Sequence, residues 1–388
     1  MYRILTLNKI STIGLERFSR DSFEVASEME HPEGILVRSH GMHEMTIPQT
    51  VIAIARAGAG TNNIPIDRFT ERGIVVFNTP GANANSVKEL VLTSLFLSSR
   101  RIVEGIVWAK GLTGNVEAQV EKKKSKFVGP EIKGKKLAVI GLGAVGVLVA
   151  NGAAALGMDV AGYDPFISVE SAWGLSREVN RASLLESLIA DADYITLHLP
   201  LSDQTKSYLN EDRFSRMKRG VRILNFARGG LVDTAALKRA LESGTVSWYV
   251  TDFPDDELAG FEGVIPIPHL GASTPEAEDN CAVMAADQMI AYLTTGNIQN
   301  SVNFPSCEMA MAGAKRIVIA NKNIPNMVGQ ITTVLANAGI NIADLLNRHL
   351  GDYAYNIIDV DGEVQETIVA ALRSIEGVLM ARVIDNGE

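Results

Sequence analysis

Lys136-Leu137-Ala138-Val139-Ile140-Gly141-Leu142-Gly143-Ala144-Val145-Gly146 is the stretch whose reading decides the fold. Residues 137–140 are a continuous apolar run, as a strand buried on both faces requires. Gly141, Gly143 and Gly146 then match G-x-G-x-x-G. Residues 145–156 read as a helix that stops at Gly157, and Asp164 ends the next strand-like run. Strand, glycine turn, helix, strand and acid together predict a dinucleotide site. Gly141 permits the tight turn, Gly143 lets the backbone approach a pyrophosphate, and Gly146 allows close helix–strand packing. Ala144 and Val145 open the helix, whose free N–H groups and partial positive charge favour an anion. Asp164 can accept hydrogen bonds from both ribose hydroxyls and repels an added phosphate there, so NAD is the expected cofactor.

Outward from this stretch the alternation is regular. Strand candidates at 137–140, 160–163, 194–199, 222–227, 246–250 and 264–267 satisfy a doubly wound Rossmann domain. Residues 1–80 alternate in the same way, with apolar runs at 4–7, 35–37, 51–55 and 74–77. A single long helix is predicted from Ser86, with Glu89 completing a capping box, to about residue 107. Residues 274–293 form another helix opening on Pro275. Residues 297–312 read as a linker. Residues 316–388 follow the order β-α-β-β-α-β as a separate unit. The predicted fold class is α/β: two doubly wound Rossmann-like parallel sheets plus a C-terminal ferredoxin-like βαββαβ domain.

The 388 residues are 46% hydrophobic and 21% charged, with a net charge of −9. That composition supports a large core and excludes wholesale disorder. The acidic balance argues against nucleic-acid and anionic-membrane partners. No apolar run reaches the ~18–20 residues of a membrane helix. Cys281 and Cys307 form neither a C-x-x-C motif nor a disulfide framework, so a cytoplasmic location is expected and no metal. The basic run Lys122-Lys123-Lys124-Ser125-Lys126 reads as a solvated surface loop or, more sharply, as a contribution to the field around an anionic substrate.

Three later strand ends carry polar residues. Asn225-Phe226-Ala227-Arg228-Gly229-Gly230-Leu231-Val232-Asp233 places Arg228 beyond a buried strand, where open α/β sheets bind ligands. A guanidinium there can hold a carboxylate with two hydrogen bonds. Asp252 ends the following strand, and Glu257 lies in the acidic loop Asp255-Asp256-Glu257. His269 ends the last strand, in Pro268-His269-Leu270-Gly271-Ala272-Ser273-Thr274. A histidine with a carboxylate partner exchanges protons near neutral pH. Together these point to hydride transfer on a carboxylate-anchored 2-oxo or 2-hydroxy acid.

These motifs resemble the D-isomer-specific 2-hydroxyacid dehydrogenases over roughly residues 1–305. The resemblance implies Arg228 as substrate clamp, His269 as general acid/base and Glu257 as its orienting carboxylate. It places Asp252 near the nicotinamide amide, with Phe226, Ala227, Arg228, His269, Leu270, Gly271 and Ala272 contacting NAD from their loops. It also implies a discontinuous substrate domain of residues 1–82 and 270–305, an NAD domain of 83–269, and an interdomain crossing at Thr79-Pro80-Gly81-Ala82-Asn83. Val37-Arg38-Ser39 and Arg56-Ala57-Gly58-Ala59-Gly60-Thr61-Asn62 resemble members acting on a small phosphorylated 2-hydroxy acid at the head of serine biosynthesis. Arg38, Ser39 and Asn83 would face that substrate, and Ala57 and Gly58 would offer N–H groups to its carboxylate. Ala144 departs from the polar residue many relatives carry there.

The tail, 315–388, resembles an ACT domain through Asn321-Lys322-Asn323-Ile324-Pro325-Asn326-Met327-Val328-Gly329 and Ala338-Gly339-Ile340-Asn341-Ile342-Ala343. Asn323 and Asn341 match effector-contacting positions, which implies L-serine at the interface of two such domains. Asn321 stands where serine-sensitive relatives often carry His, and Asn326 where the loop glycine is common. The resemblance further implies a homodimer or homotetramer. Two other readings are a dehydrogenase for an unphosphorylated acid, with 2-oxoglutarate reduction included, and an NAD-sensing scaffold without turnover. The Arg38-Ser39 pair and the tail oppose the first; Arg228, Glu257 and His269 oppose the second.

Overall fold

The computed structural model describes residues 1–385; the last three positions of the predicted tail, 386–388, lie outside the described residues. The chain forms two compact units, Met1–Asn83 with residues from Glu278 onward, and Ala84–Ala277.

The Ala84–Ala277 unit is built on a seven-stranded sheet. Numbering strands along the whole chain, it holds β6 (Lys136–Ile140), β7 (Asp159–Tyr163), β8 (Asn180–Arg181), β9 (Tyr194–Leu197), β10 (Val221–Asn225), β11 (Val246–Thr251) and β12 (Val264–Pro266). The order β12-β11-β10-β9-β6-β7-β8 is parallel throughout and reverses direction between β6 and β9. That switch point is where such sheets bind ligands. Both faces are apolar: Val139, Val149, Val160 and Leu224 pack on one side, and Ile140, Ile195, Ile223 and Leu237 on the other. The six predicted strands are all present; the two-residue edge strand β8 has too short a pattern to read.

The predicted long helix is two helices, Ala84–Arg100 and Ile102–Lys110. Arg101 breaks it with a left-handed backbone, φ +48°. Its side chain bonds Glu104 Oε1 at 2.9 Å and the Lys126 carbonyl at 3.2 Å. The apolar spacing continues across the break, so the sequence pattern does not register it. The predicted capping box is absent because the helix starts earlier, at Ala84. Ser86 is buried within it, and Glu89 accepts from Asn85 Nδ2 instead.

The other unit holds two sheets. β1 (Tyr2–Leu7), β2 (Phe23–Ala26), β3 (Gly34–Val37), β4 (Ala53–Arg56) and β5 (Val75–Phe77) form a parallel sheet in the order β2-β1-β3-β4-β5. β13 (Lys315–Lys322), β14 (Asn341–Leu350), β15 (Tyr353–Asp361) and β16 (Val378–Asp385) form an antiparallel sheet in the order β14-β15-β13-β16. Helices Met327–Asn337 and Glu366–Arg373 cover one face of it around Ile317, Ile319, Ile331, Ile358 and Leu372.

Its other face does not stand free. Val318, Ala320, Tyr355, Ile357 and Ile384 join one buried cluster with Tyr292, Leu293 and Phe304 and with Ile4 and Phe77 of the first sheet. The tail therefore keeps its own sheet but shares a core with the N-terminal lobe. The stretch predicted as a linker is packed too. Asn303 is buried, accepts the Val76 N–H at 2.9 Å, and donates to Thr70 Oγ1 and the Ile74 carbonyl. Low periodicity in 297–312 reflects irregular backbone, not freedom.

Candidate active site

The nucleotide turn follows from the backbone. Gly141 has φ +92°, and a Cβ there would lie 2.6 Å from the His198 carbonyl oxygen. At Gly146 a Cβ would lie 1.9 Å from the Gly141 carbonyl oxygen, so only glycine fits. Gly143 faces open space, with nothing within 4 Å of a built Cβ. It is the N-cap of the helix Ala144–Ala155, whose first N–H groups lack intrahelical partners. Asp164 accepts from the Leu142 N–H and the Phe166 N–H, both at 2.8 Å, which ties its carboxylate to the turn. His198 packs beneath, its Nε2 3.0 Å from Thr196 Oγ1. An open glycine face, a helix N-terminus and a tethered carboxylate at a switch point fit a dinucleotide.

Arg228 follows β10. Asn225 is fully buried and braces it: Asn225 Oδ1 accepts the Ala227 N–H at 3.2 Å, and Nδ2 donates to the Arg228 carbonyl at 2.9 Å and to Tyr249 Oη at 3.0 Å. The Arg228 side chain is exposed, with Nη1 donating to the Ala227 carbonyl at 2.6 Å.

Asp252 follows β11 and is 1% exposed. Its Oδ2 accepts the Gly271 N–H at 3.2 Å, while Oδ1 is buried without a hydrogen-bond partner. Burial raises its pKa; the charges of His269 and Arg228 and the Gly271 N–H oppose that. An orphaned carboxylate oxygen suits a donor such as an amide NH₂ on the bound cofactor. Asp252, Arg228, His269 and Gly271 are thus brought together. His269 is exposed; its ring packs on Phe253, centroids 4.4 Å apart. Leu270 is also exposed, and Ala272 is half-buried.

Glu257 is not on His269. Its Oε2 accepts from Lys238 Nζ at 2.7 Å, from the helix Thr234–Glu242. Asp255 Oδ1 caps this loop, accepting the Glu257 and Leu258 N–H groups at 3.0 and 2.9 Å. Spacing names the carboxylate but not its rotamer.

In the other unit, Arg38 follows β3, and its Nη2 donates to Glu278 Oε1 at 2.5 Å. Asn8 Oδ1 accepts the N–H groups of Ser39 and His40 and fixes that turn. The N–H groups expected for the substrate carboxylate are already engaged: Ala57 donates to the Val37 carbonyl at 2.8 Å and Gly58 to the Arg56 carbonyl at 2.9 Å. The sheet ladder runs one residue past β4 and takes the Ala57 donor. Asn83 is half-buried at the end of this segment.

In the tail, Asn323 Nδ2 donates to the Gly351 carbonyl, and Asn341 Nδ2 to Asp361 Oδ2. These lie at opposite ends of β14, about 30 Å apart at strand rise, so one chain does not bring them together. Asn321 is buried in an amide ladder: Asn356 Nδ2 donates to Asn321 Oδ1, and Asn347 Nδ2 to Asn356 Oδ1. Asn326 sits at φ +66°, which explains glycine's usual place there. Asn225 and Phe253 lie inside the motif stretches 225–233 and 252–257 without a signal for their roles, and Lys238 and Glu278 carry no local signal.

Fold and nucleotide turn define an oxidoreductase that binds a dinucleotide at a Rossmann switch point. Residues 92–271 match the model of the D-isomer specific 2-hydroxyacid dehydrogenase NAD binding domain. The D-3-phosphoglycerate dehydrogenase of Haemophilus influenzae is 31% identical over 94% of this chain and 89% of its own length. That of Escherichia coli K12 is 31% identical over 91% of this chain and 87% of its own. The NAD+-bound 3-phosphoglycerate dehydrogenase of Entamoeba histolytica superposes with a TM-score of 0.59 at 26% identity, covering 78% of this chain and 98% of that one. The chain belongs to the D-isomer-specific 2-hydroxyacid dehydrogenase family and is an NAD-dependent D-2-hydroxyacid dehydrogenase. Among the described residues no helix is long and apolar enough to cross a membrane.

Proposed function

We propose that the chain oxidises 3-phospho-D-glycerate to 3-phosphohydroxypyruvate, the first step of L-serine biosynthesis. The observation that carries this reading is Arg38 beside Ser39 on a turn fixed by Asn8, in a chain similar along its length to D-3-phosphoglycerate dehydrogenases. Arg38, Ser39 and Asn83 take the phosphate end, where guanidinium and hydroxyl suit phosphate oxygens. Arg228 takes the carboxylate and polarises the C2 oxygen. A ring nitrogen of His269 removes the hydroxyl proton as the C2 hydrogen departs with its electron pair. When bound, NAD supplies the acceptor for that hydride, and Asp252 Oδ1 holds its amide. Glu257 orients His269 after exchanging Lys238 for it. The division of labour follows residues 1–82 with 270–305 for substrate, 83–269 for NAD and 315–388 for regulation.

The exposed apolar residues Ile102, Val103, Ile106 and Val107 of one helix support association of two copies. Separation of Asn323 from Asn341 supports a serine site completed by a second chain.

One assay tests the reading: NADH oxidation with 3-phosphohydroxypyruvate, hydroxypyruvate, 2-oxoglutarate and pyruvate, with and without L-serine, on material sized by light scattering. The phosphorylated acid is expected to have the highest kcat/KM, and Arg38→Met to lower it at least tenfold while sparing hydroxypyruvate. Equal loss on both acids would remove Arg38 from the phosphate, and a monomeric species would remove the shared serine site.

A further inference from the structure

Phe253 packs against both groups assigned to substrate, His269 and Arg228. Its ring centroid is 4.4 Å from that of His269 at a tilt of 52°, and 5.9 Å from the Arg228 guanidinium carbon. The backbone around it is pinned. Asp252, immediately before, is buried and bonded to Gly271; the Phe253 N–H donates to Thr251 Oγ1 at 3.0 Å. The Arg228 turn also comes close, since a Cβ on Gly229 would sit 3.4 Å from Phe253 Cβ. Among the described residues no hydrogen bond holds the His269 imidazole. Glu257, the carboxylate assigned to it, is on Lys238.

We infer that Phe253 is a positioning residue for hydride transfer: its ring holds the His269 imidazole and the Arg228 guanidinium at a fixed separation before substrate arrives. This deepens the proposed function and rests on its assignment of Arg228 and His269. An aromatic face suits both neighbours, because it attracts a guanidinium and packs on an imidazole edge without competing for the hydrogen bonds substrate needs. Catalysis depends on such prior orientation, and loss of about 1 Å in placement is worth roughly a hundredfold in rate. The ring is pinned through its own backbone, so it holds its place while Glu257 changes partner.

The test compares Phe253→Leu, Phe253→Met and Phe253→Tyr in the full chain, with 3-phosphohydroxypyruvate and hydroxypyruvate in parallel. Phe253→Leu is expected to raise KM for both acids and lower kcat, reducing kcat/KM at least thirtyfold. Its NADH dissociation constant, read by protein-to-NADH energy transfer, should stay within twofold of wild type. Phe253→Met, of similar volume without a ring, should follow the leucine variant; Phe253→Tyr should recover to within threefold of wild type. Leucine or methionine variants within threefold of wild type would overturn the inference. So would a tyrosine variant as impaired as the leucine one, or a matching loss of NADH binding. Arg228→Met and His269→Gln separate the failures: if they stay active the site reading falls, and if only they are inactive Phe253 alone loses its role.

Discussion

Burial moves Asp252 and His198 toward their neutral forms from opposite sides. The Asp252 carboxyl is raised, and the His198 imidazole, half-buried under the nucleotide turn, is pushed down to about 3. Below pH 6.5 the unfolded chain takes up a proton at His198 that the folded chain refuses. The stability this group contributes is therefore complete above that pH and is lost as pH falls, by up to about 1.4 kcal/mol per unit. Urea midpoints measured from pH 7 to pH 5 should fall more for wild type than for His198→Asn; parallel curves would refute the neutral imidazole. The same scale shows what spacing can convey. Gly141, Gly146 and Asp164 are legible because backbone sterics admit few alternatives. Glu257 is legible as a carboxylate near His269 in sequence, yet a flexible exposed side chain takes its partner from whatever cation the fold brings near, here Lys238.

The helix Pro275–Thr295 is the element most dependent on its surroundings. The sequence predicts a helix here, and in the fold its Ala282, Ala285, Ala286 and Met289 are buried. Its last carbonyls need partners, as at any helix C-terminus. The tail supplies several: Arg382 donates to the Leu293 carbonyl at 3.0 Å and to that of Tyr292, and Tyr355 Oη donates to the Gly296 carbonyl at 2.8 Å, while Tyr2 Oη of β1 shares the Leu293 carbonyl at 2.8 Å. Arg382 also lies over the Tyr292 ring at 4.7 Å. Arg382→Met should cost about 2 kcal/mol, the worth of charge-assisted hydrogen bonds to partly buried carbonyls. Thermal unfolding would show it; a change below about 0.5 kcal/mol would mean that water replaces the guanidinium. None of this was readable locally, because helix and cap are some 90 residues apart.

At the scale of the molecule, a fully buried ion pair locks tail to lobe. Arg316 Nε and Nη2 donate to the two oxygens of Asp359 at 2.7 and 2.8 Å, and Nη1 donates to the carbonyls of Thr295 and Met309. Arg316→Met strands a buried carboxylate and should cost about 3–5 kcal/mol. Adding Asp359→Asn, which still accepts the Ala312 N–H, should recover part of that loss in the same denaturation experiment. Additive losses would show that the two charges do not depend on each other. By itself the sequence determined the number and kind of sheets and the dinucleotide turn, and it marked Arg228, Asp252 and His269 as candidates at later strand ends. Period-two and period-3.6 patterns and glycine sterics act over a few residues and are written there. Only the tertiary structure decided the break at Arg101, the fusion of tail and lobe, the parking of Glu257 on Lys238 and the packing of the Phe253 ring on His269 and near Arg228. Those are contacts between segments distant in sequence, chosen by packing and by which charges the completed fold leaves side by side.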